Sequence, residues 1–148
     1  MDIIKDIIIS PMKIIPHPKG DILHILKRSD AVFNDFGEAY FSSITHNEIK
    51  GWKRHTKMIL NIVVPVGEIR FVFYDDREGS QSSSQFYSII IGPKNYQRIT
   101  VPPLIWMAFQ GIGNSSNLLL NIASIEHDPG ESENKLLSEL DFNWEHHS

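Results

Sequence analysis

Hydrophobic and polar positions alternate over short stretches along this chain, and proline or glycine closes most of them. Residues 2–10 are rich in isoleucine and stop at Pro11, and 12–15 are closed by Pro16 and Pro18. β-Branched residues favour extended backbone, whereas proline withholds the N–H that an interior strand needs. A turn over 17–21 leads into 22–27, and 37–43 is a further extended stretch. The apolar run 58–64, the turn Pro65-Val66-Gly67 and the alternating stretch 68–75 predict a β-hairpin. Within its second arm Ile69, Phe71 and Phe73 share one side, and Arg70, Val72 and Tyr74 the other. The Ser- and Gly-rich stretch 77–85 reads as a surface loop, free to flex at Ser82, Ser83 and Ser84. Strands over 85–91, 98–101 and 118–125, a buried segment over 104–109 and a helical turn or two within 135–140 complete the pattern. Short strands at regular spacing between such turns predict an all-β, antiparallel jelly-roll barrel whose mouth supplies a ligand cavity. With no internal repeat and no long linker, one domain is expected over residues 1–148.

Composition changes this picture little. A chain of 148 residues, 41% hydrophobic and 22% charged, can bury an ordinary globular core. No apolar run approaches the roughly 20 residues that span a bilayer, so no membrane partner is expected. With no cysteine and no secretory pattern over 1–9, the cytoplasm is the expected location. The net charge of −4 argues against nucleic acid as a partner, because such binding draws on basic surface. A local basic pocket is still open to it.

That pocket is offered by Lys50-Gly51-Trp52-Lys53-Arg54-His55-Thr56-Lys57, four cations and a histidine within eight residues. Lysine and arginine suit phosphate oxygens, and Trp52 can pack against a ring. The same residues equally fit a strand edge that carries cations against edge-to-edge pairing. Lys53 and His55 share one side of an extended segment, and a histidine at a barrel mouth can move a proton. Zinc or iron would need two or three histidines with a carboxylate close by. His46 lies nine residues back and the adjacent trio Glu126-His127-Asp128 cannot converge on one point, so no metal is expected. Tyr74-Asp75-Asp76-Arg77 reads as structural, and His146 and His147 as a loose tail.

Several short motifs fall in a familiar order: Gly20-Asp21, Glu38-Ala39-Tyr40-Phe41-Ser42, Lys50-Gly51-Trp52, Val66-Gly67-Glu68 and Tyr74-Asp75-Asp76-Arg77. Thr100-Val101-Pro102-Pro103, His127-Asp128-Pro129 and Phe142-Asn143-Trp144 continue the series. In these the chain resembles the dTDP-4-dehydrorhamnose 3,5-epimerases. The resemblance implies a cupin jelly roll, a homodimer, and a cofactor-free reaction on a nucleotide-diphosphate sugar bearing a 4-ketone and a 6-deoxy carbon. The ketone acidifies a neighbouring C–H, so a base removes that proton and an acid returns one.

Residue by residue, the resemblance implies that Lys50 stands for the arginine of the family's Arg-Gly-x-His motif and grips phosphate. Glu38 and Tyr40 fall on polar ligand contacts. Lys53 falls on the catalytic histidine and Asn121 on the catalytic tyrosine, while the aspartate that would orient the histidine has no match, Leu137 occupying its region. In the related sugar-nucleotide 3,4-ketoisomerases a His-x-His pair lies here, of which Lys53-Arg54-His55 keeps the second member. Two readings follow. One is an epimerase or isomerase with His55, Lys53 and Tyr40 as proton-transfer candidates and Lys50, Glu38, Trp52, Lys57, Asn61 and Asn121 as binding residues. In that reading Arg54 and Lys57 crowd Lys53 with charge and make it a better base. The other is a sugar-nucleotide-binding module that has lost turnover. A purely structural jelly roll is disfavoured by the cation cluster.

Overall fold

The isoleucine-rich start yields less strand than its composition predicts, because Asp6 takes a left-handed φ of 74° and breaks the extended run. The structure, a computed structural model, describes residues 1–145, so His146 and His147 lie outside the described residues. The strands follow as β1 Ile8–Pro11, β2 Ile14–Ile15, β3 Ile22–Leu23, β4 Glu38–Ser43, β5 Ile49–His55 and β6 Leu60–Val66. Then come β7 Ile69–Tyr74, β8 Phe86–Ile91, β9 Gln97–Val101, β10 Trp106–Gly111, β11 Leu118–Ala123 and β12 Ser132–Asn134. Single 3-10 turns at Pro129–Glu131 and Leu137–Glu139 are the helical content among the described residues. No helix there is long and apolar enough to cross a membrane.

One sheet runs β1-β9-β6-β11-β4, a second β12-β5-β10-β7-β8, and β2-β3 forms a separate ribbon. The two large sheets share a core. Leu60, Ile62, Ile99 and Leu119 from the first meet Ile69, Phe71, Phe73 and Ile91 from the second, none more than 3% exposed. This is the jelly roll expected, built as two facing sheets rather than one hydrogen-bonded ring.

The hairpin expected from 58–64 and 68–75 does not form. β6 pairs with β11 and β9, and β7 with β10 and β8. Both strands are buried along nearly their whole length, so each is an interior strand with a neighbour on both edges. Between them Gly67, at φ 77°, carries the chain from one sheet to the other. A Cβ there would lie 2.2 Å from the Ser116 carbonyl oxygen, so the crossing needs glycine. β7 makes its hairpin with β8 instead, Tyr74 standing opposite Phe86.

The loop of that hairpin is anchored, not free. Asp75, with no exposed surface, accepts from the Arg77 Nε, Nη2 and backbone N–H and from the hydroxyls of Ser80 and Ser82. Ser82 is itself buried, which corrects the expectation of a flexing serine run. Arg77 reaches on to the Asp6 carboxylate and the Lys5 carbonyl, tying the loop to the start of the chain. On the outer face of the second sheet Trp52, Val72, Trp106 and Ala108 form a smaller apolar cluster, covered by Leu137, Leu140, Phe142 and Trp144.

Burial alone would raise the Asp75 carboxyl, but the hydrogen bonds from Arg77, Ser80 and Ser82 outweigh it and hold it well below its ordinary 3.8. A carboxyl depressed in the folded state contributes stability that is present above its unfolded value and is lost as pH falls toward the folded one. Asp75→Asn is therefore expected to cost about 3 kcal/mol at neutral pH. Below about pH 4 its stability should fall less steeply than that of the native chain, as urea unfolding across that range would show. Equal slopes would remove Asp75 as the anchor.

Candidate active site

Lys50 and Lys53 are three residues apart, a spacing that puts them on opposite faces of a regular strand. β5 is not regular: Lys53 pairs with Met107 and Lys50 with Phe109, so three steps on β5 match two on β10. The extra residue is a bulge. Gly51 sits within it at φ 145°, where a Cβ would meet the Cβ of Ala108 at 2.4 Å. Both lysines consequently line the space between the sheets, while the Trp52 indole turns to the far side.

That space is a cavity of about 320 Å³. β5 contributes Lys50, Lys53 and His55, and β12 with the residue after it contributes Asn134 and Lys135. The opposite sheet contributes Tyr40 and Ser42 from β4 and Asn121 from β11. Leu60, Ile62, Met107, Phe109 and Leu119 supply apolar wall, and no carboxylate lines the cavity among the described residues. The Lys50 ammonium donates to the Ser43 carbonyl at 2.6 Å, which fixes its position against the facing sheet.

Behind this lining, His55 Nδ1 lies 2.7 Å from Glu131 Oε1, and Glu131 is 4% exposed. The other carboxylate oxygen accepts from the backbone N–H groups of Lys57 and Met58, at 3.0 and 2.9 Å. Burial alone would raise the Glu131 carboxyl; the hydrogen bonds from His55, Met58 and Lys57 and the charge of His55 outweigh burial and hold it at about 2. An ionised carboxylate only accepts, so Nδ1 is the donor and Nε2 is the ring nitrogen left for a ligand. Asp128 caps the turn that carries Glu131, its side chain accepting from the Gly130 N–H. The sequence reading missed Glu131. Its one local signal is Asp128-Pro129-Gly130, a capped proline turn that delivers a glutamate.

On the facing sheet Asn121 and Tyr40 are cross-strand partners, and Asn121 Nδ2 donates to the Tyr40 hydroxyl at 3.1 Å. The cavity thus brings together His55, Lys53, Tyr40, Lys50 and Asn121. Trp52 also borders the cavity, but its indole is turned into the outer cluster, 1% exposed and donating to the Leu137 carbonyl, so it cannot stack on a ligand. The other expected residues stand elsewhere. Asn61 pairs with Thr100 on the outer face of the first sheet, where it accepts the threonine hydroxyl at 2.6 Å. Glu38, at the end of β4, and Lys57, beyond β5, do not line the cavity. Arg54, expected to crowd Lys53 with charge, is on the outer face with its guanidinium held by Asp76 and Glu133 and stacked 4.6 Å from Trp106.

No family model matches the chain. A solved structure of a dTDP sugar isomerase from Desulfovibrio desulfuricans G20 superposes with a TM-score of 0.91 at 35% identity, over 95% of this chain and 92% of that one. A probable low-salt glycan biosynthesis epimerase from Haloferax volcanii, Agl13, is 28% identical over 127 residues, 84% of this chain and 81% of the relative. The dTDP-4-dehydrorhamnose 3,5-epimerase of Sulfolobus tokodaii shares the fold, with a TM-score of 0.83 at 18% identity over 98% of this chain and 85% of that one. Likeness over nearly the whole length, at 35% identity to the first of these, shows that the chain belongs to the dTDP-4-dehydrorhamnose 3,5-epimerase-related family of sugar-nucleotide epimerases and isomerases.

Proposed function

We propose that the cavity binds a nucleotide-linked 4-keto-6-deoxy sugar and that His55 removes the proton beside its ketone. The observation that carries this reading is the His55–Glu131 pair, a buried carboxylate bonded to an imidazole that faces the cavity. The ketone draws electron density from the neighbouring C–H bond, and Nε2 takes the proton as the enolate forms. Glu131 stays ionised and stabilises the imidazolium. Tyr40, which lines the cavity from the facing sheet, returns a proton in this reading. The step moves a proton and consumes no cofactor.

Lys50, Lys53 and Lys135 give one side of the cavity three cations, which suits a diphosphate. Lys53 is exposed, as a phosphate-gripping cation can be, and His55 with its carboxylate partner is the better base. The relatives' names favour dTDP as the nucleotide and a glycan-building route as the context. The binding-module reading is disfavoured, because a chain that only bound the sugar would have no use for an oriented imidazole. The reading includes a homodimer in the cytoplasm: β4 ends its sheet and shows Phe41 at 64% exposure, an edge that a second copy can cover.

In D2O with dTDP-4-keto-6-deoxyglucose, the native chain is expected to wash solvent deuterium into C3 or C5, followed by NMR. His55→Asn should slow this by at least about 100-fold with dTDP affinity nearly unchanged. Glu131→Gln should slow it by about 10- to 100-fold, since the neutral amide no longer fixes the ring or its charge. Saturable binding by the native chain without wash-in would establish the binding module instead. Separately, Lys53→Gln should weaken dTDP binding about tenfold and flatten its salt dependence, as calorimetry at two ionic strengths would show. Unchanged affinity would remove Lys53 from the phosphate site.

A further inference from the structure

Asn121 carries an atom that no other described residue engages. The residue is 1% exposed and lines the cavity, and Nδ2 donates to Tyr40, yet Oδ1 has no hydrogen-bond partner. Buried acceptors without donors are rare in folded proteins because they have lost water and gained nothing. Where such an atom lines a cavity, a ligand can supply the missing donor. An amide oxygen only accepts, so neither a phosphate oxygen nor a ketone satisfies it, whereas a hydroxyl does. Its surroundings agree. Ile62 pairs with Asn121 across β6, and Leu119 shares its face of β11, so this wall is apolar. Lys50, Lys53 and Lys135 belong to the opposite sheet or follow directly from it.

We infer that Asn121 is a specificity-determining residue that reads a ring hydroxyl of the bound sugar through Oδ1, while its Nδ2 positions the Tyr40 hydroxyl beside the same ring. The inference rests on the cavity taking a sugar nucleotide and adds which part of that ligand is recognised, and by which atom. It also accounts for an amide at a position facing the base: a carboxamide cannot exchange a proton, so it selects and positions while Tyr40 donates. Leucine at 121 would keep the branched shape and remove both functions.

The test uses dTDP-quinovose, which lacks the ketone and so is not turned over, beside its 2-deoxy and 3-deoxy analogues. Binding to the full chain is measured by calorimetry. The native chain is expected to bind the parent about tenfold more tightly than one of the two analogues. Asn121→Leu should bind parent and analogues alike, keep its affinity for dTDP, and melt close to the native chain, since relieving the unpaired Oδ1 and burying apolar surface offset the lost bond to Tyr40. Equal binding of parent and analogues by the native chain overturns the inference, whether or not the variant folds. A leucine variant that retains the discrimination also overturns it and marks Asn121 as structural. Failure of the native chain to bind dTDP-quinovose or its analogues overturns the proposed function and this inference together, whereas indiscriminate binding overturns only the role of Asn121.

Discussion

A carboxylate removed from water has to be surrounded by donors, and Glu131 is surrounded by the backbone N–H groups of Lys57 and Met58 and by His55 Nδ1. Its own carbonyl accepts from the hydroxyl and the N–H of Thr56. Five polar groups between His55 and Met58 are therefore bonded to one residue 73 to 76 positions downstream. Leaving that charge buried and unpaired would cost several kcal/mol, so the turn that carries Glu131 and the end of β5 are held in one arrangement. The consequence spreads from there. β12 begins at the next residue and pairs Ser132, Glu133 and Asn134 with His55, Arg54 and Lys53, which brings Asn134 and Lys135 to the rim of the cavity.

The same pair joins fold to chemistry. Because Glu131 is ionised and acceptor-only, it dictates which imidazole nitrogen carries the proton, and the nitrogen left bare is the one available inside the cavity. The two sheets then divide the remaining work. One presents lysines, the other presents Tyr40 and Asn121, and leucines, an isoleucine, a methionine and a phenylalanine give the cavity its apolar wall. A ligand with an anionic end and a hydroxylated ring has a complementary surface for each part.

The fold was legible to the extent that it depends on local pattern. β-Branched runs and proline or glycine stops marked most strands, and the alternation of Ile69, Phe71 and Phe73 against Arg70, Val72 and Tyr74 separates the inner core from the outer face as observed. Pairing was not legible. Two apolar stretches joined by a short turn look like a hairpin in sequence, and only the crowding of Gly67 against Ser116 and Asn117 reveals that the chain crosses between sheets there. The site was legible in part for the same reason. Alternation put Lys53 and His55 on one side, but the bulge that adds Lys50 to them and sends Trp52 away comes from packing against Ala108 on β10. The resemblance to the epimerases left the histidine's partner unmatched, since a carboxylate supplied by Glu131 is joined to His55 by folding and by no sequence spacing.

The central claim, that a buried Glu131 fixes His55 as a base with Nε2 open to the cavity, is tested most directly by nitrogen NMR on the chain labelled at histidine. In the neutral ring of His55 the proton should reside on Nδ1, the less common tautomer of free histidine, with its resonance far downfield and protected from exchange. Substitution of Glu131 by Gln should shift that resonance or abolish its protection. A neutral His55 protonated on Nε2 would contradict the account, because the nitrogen facing the substrate would then already be occupied.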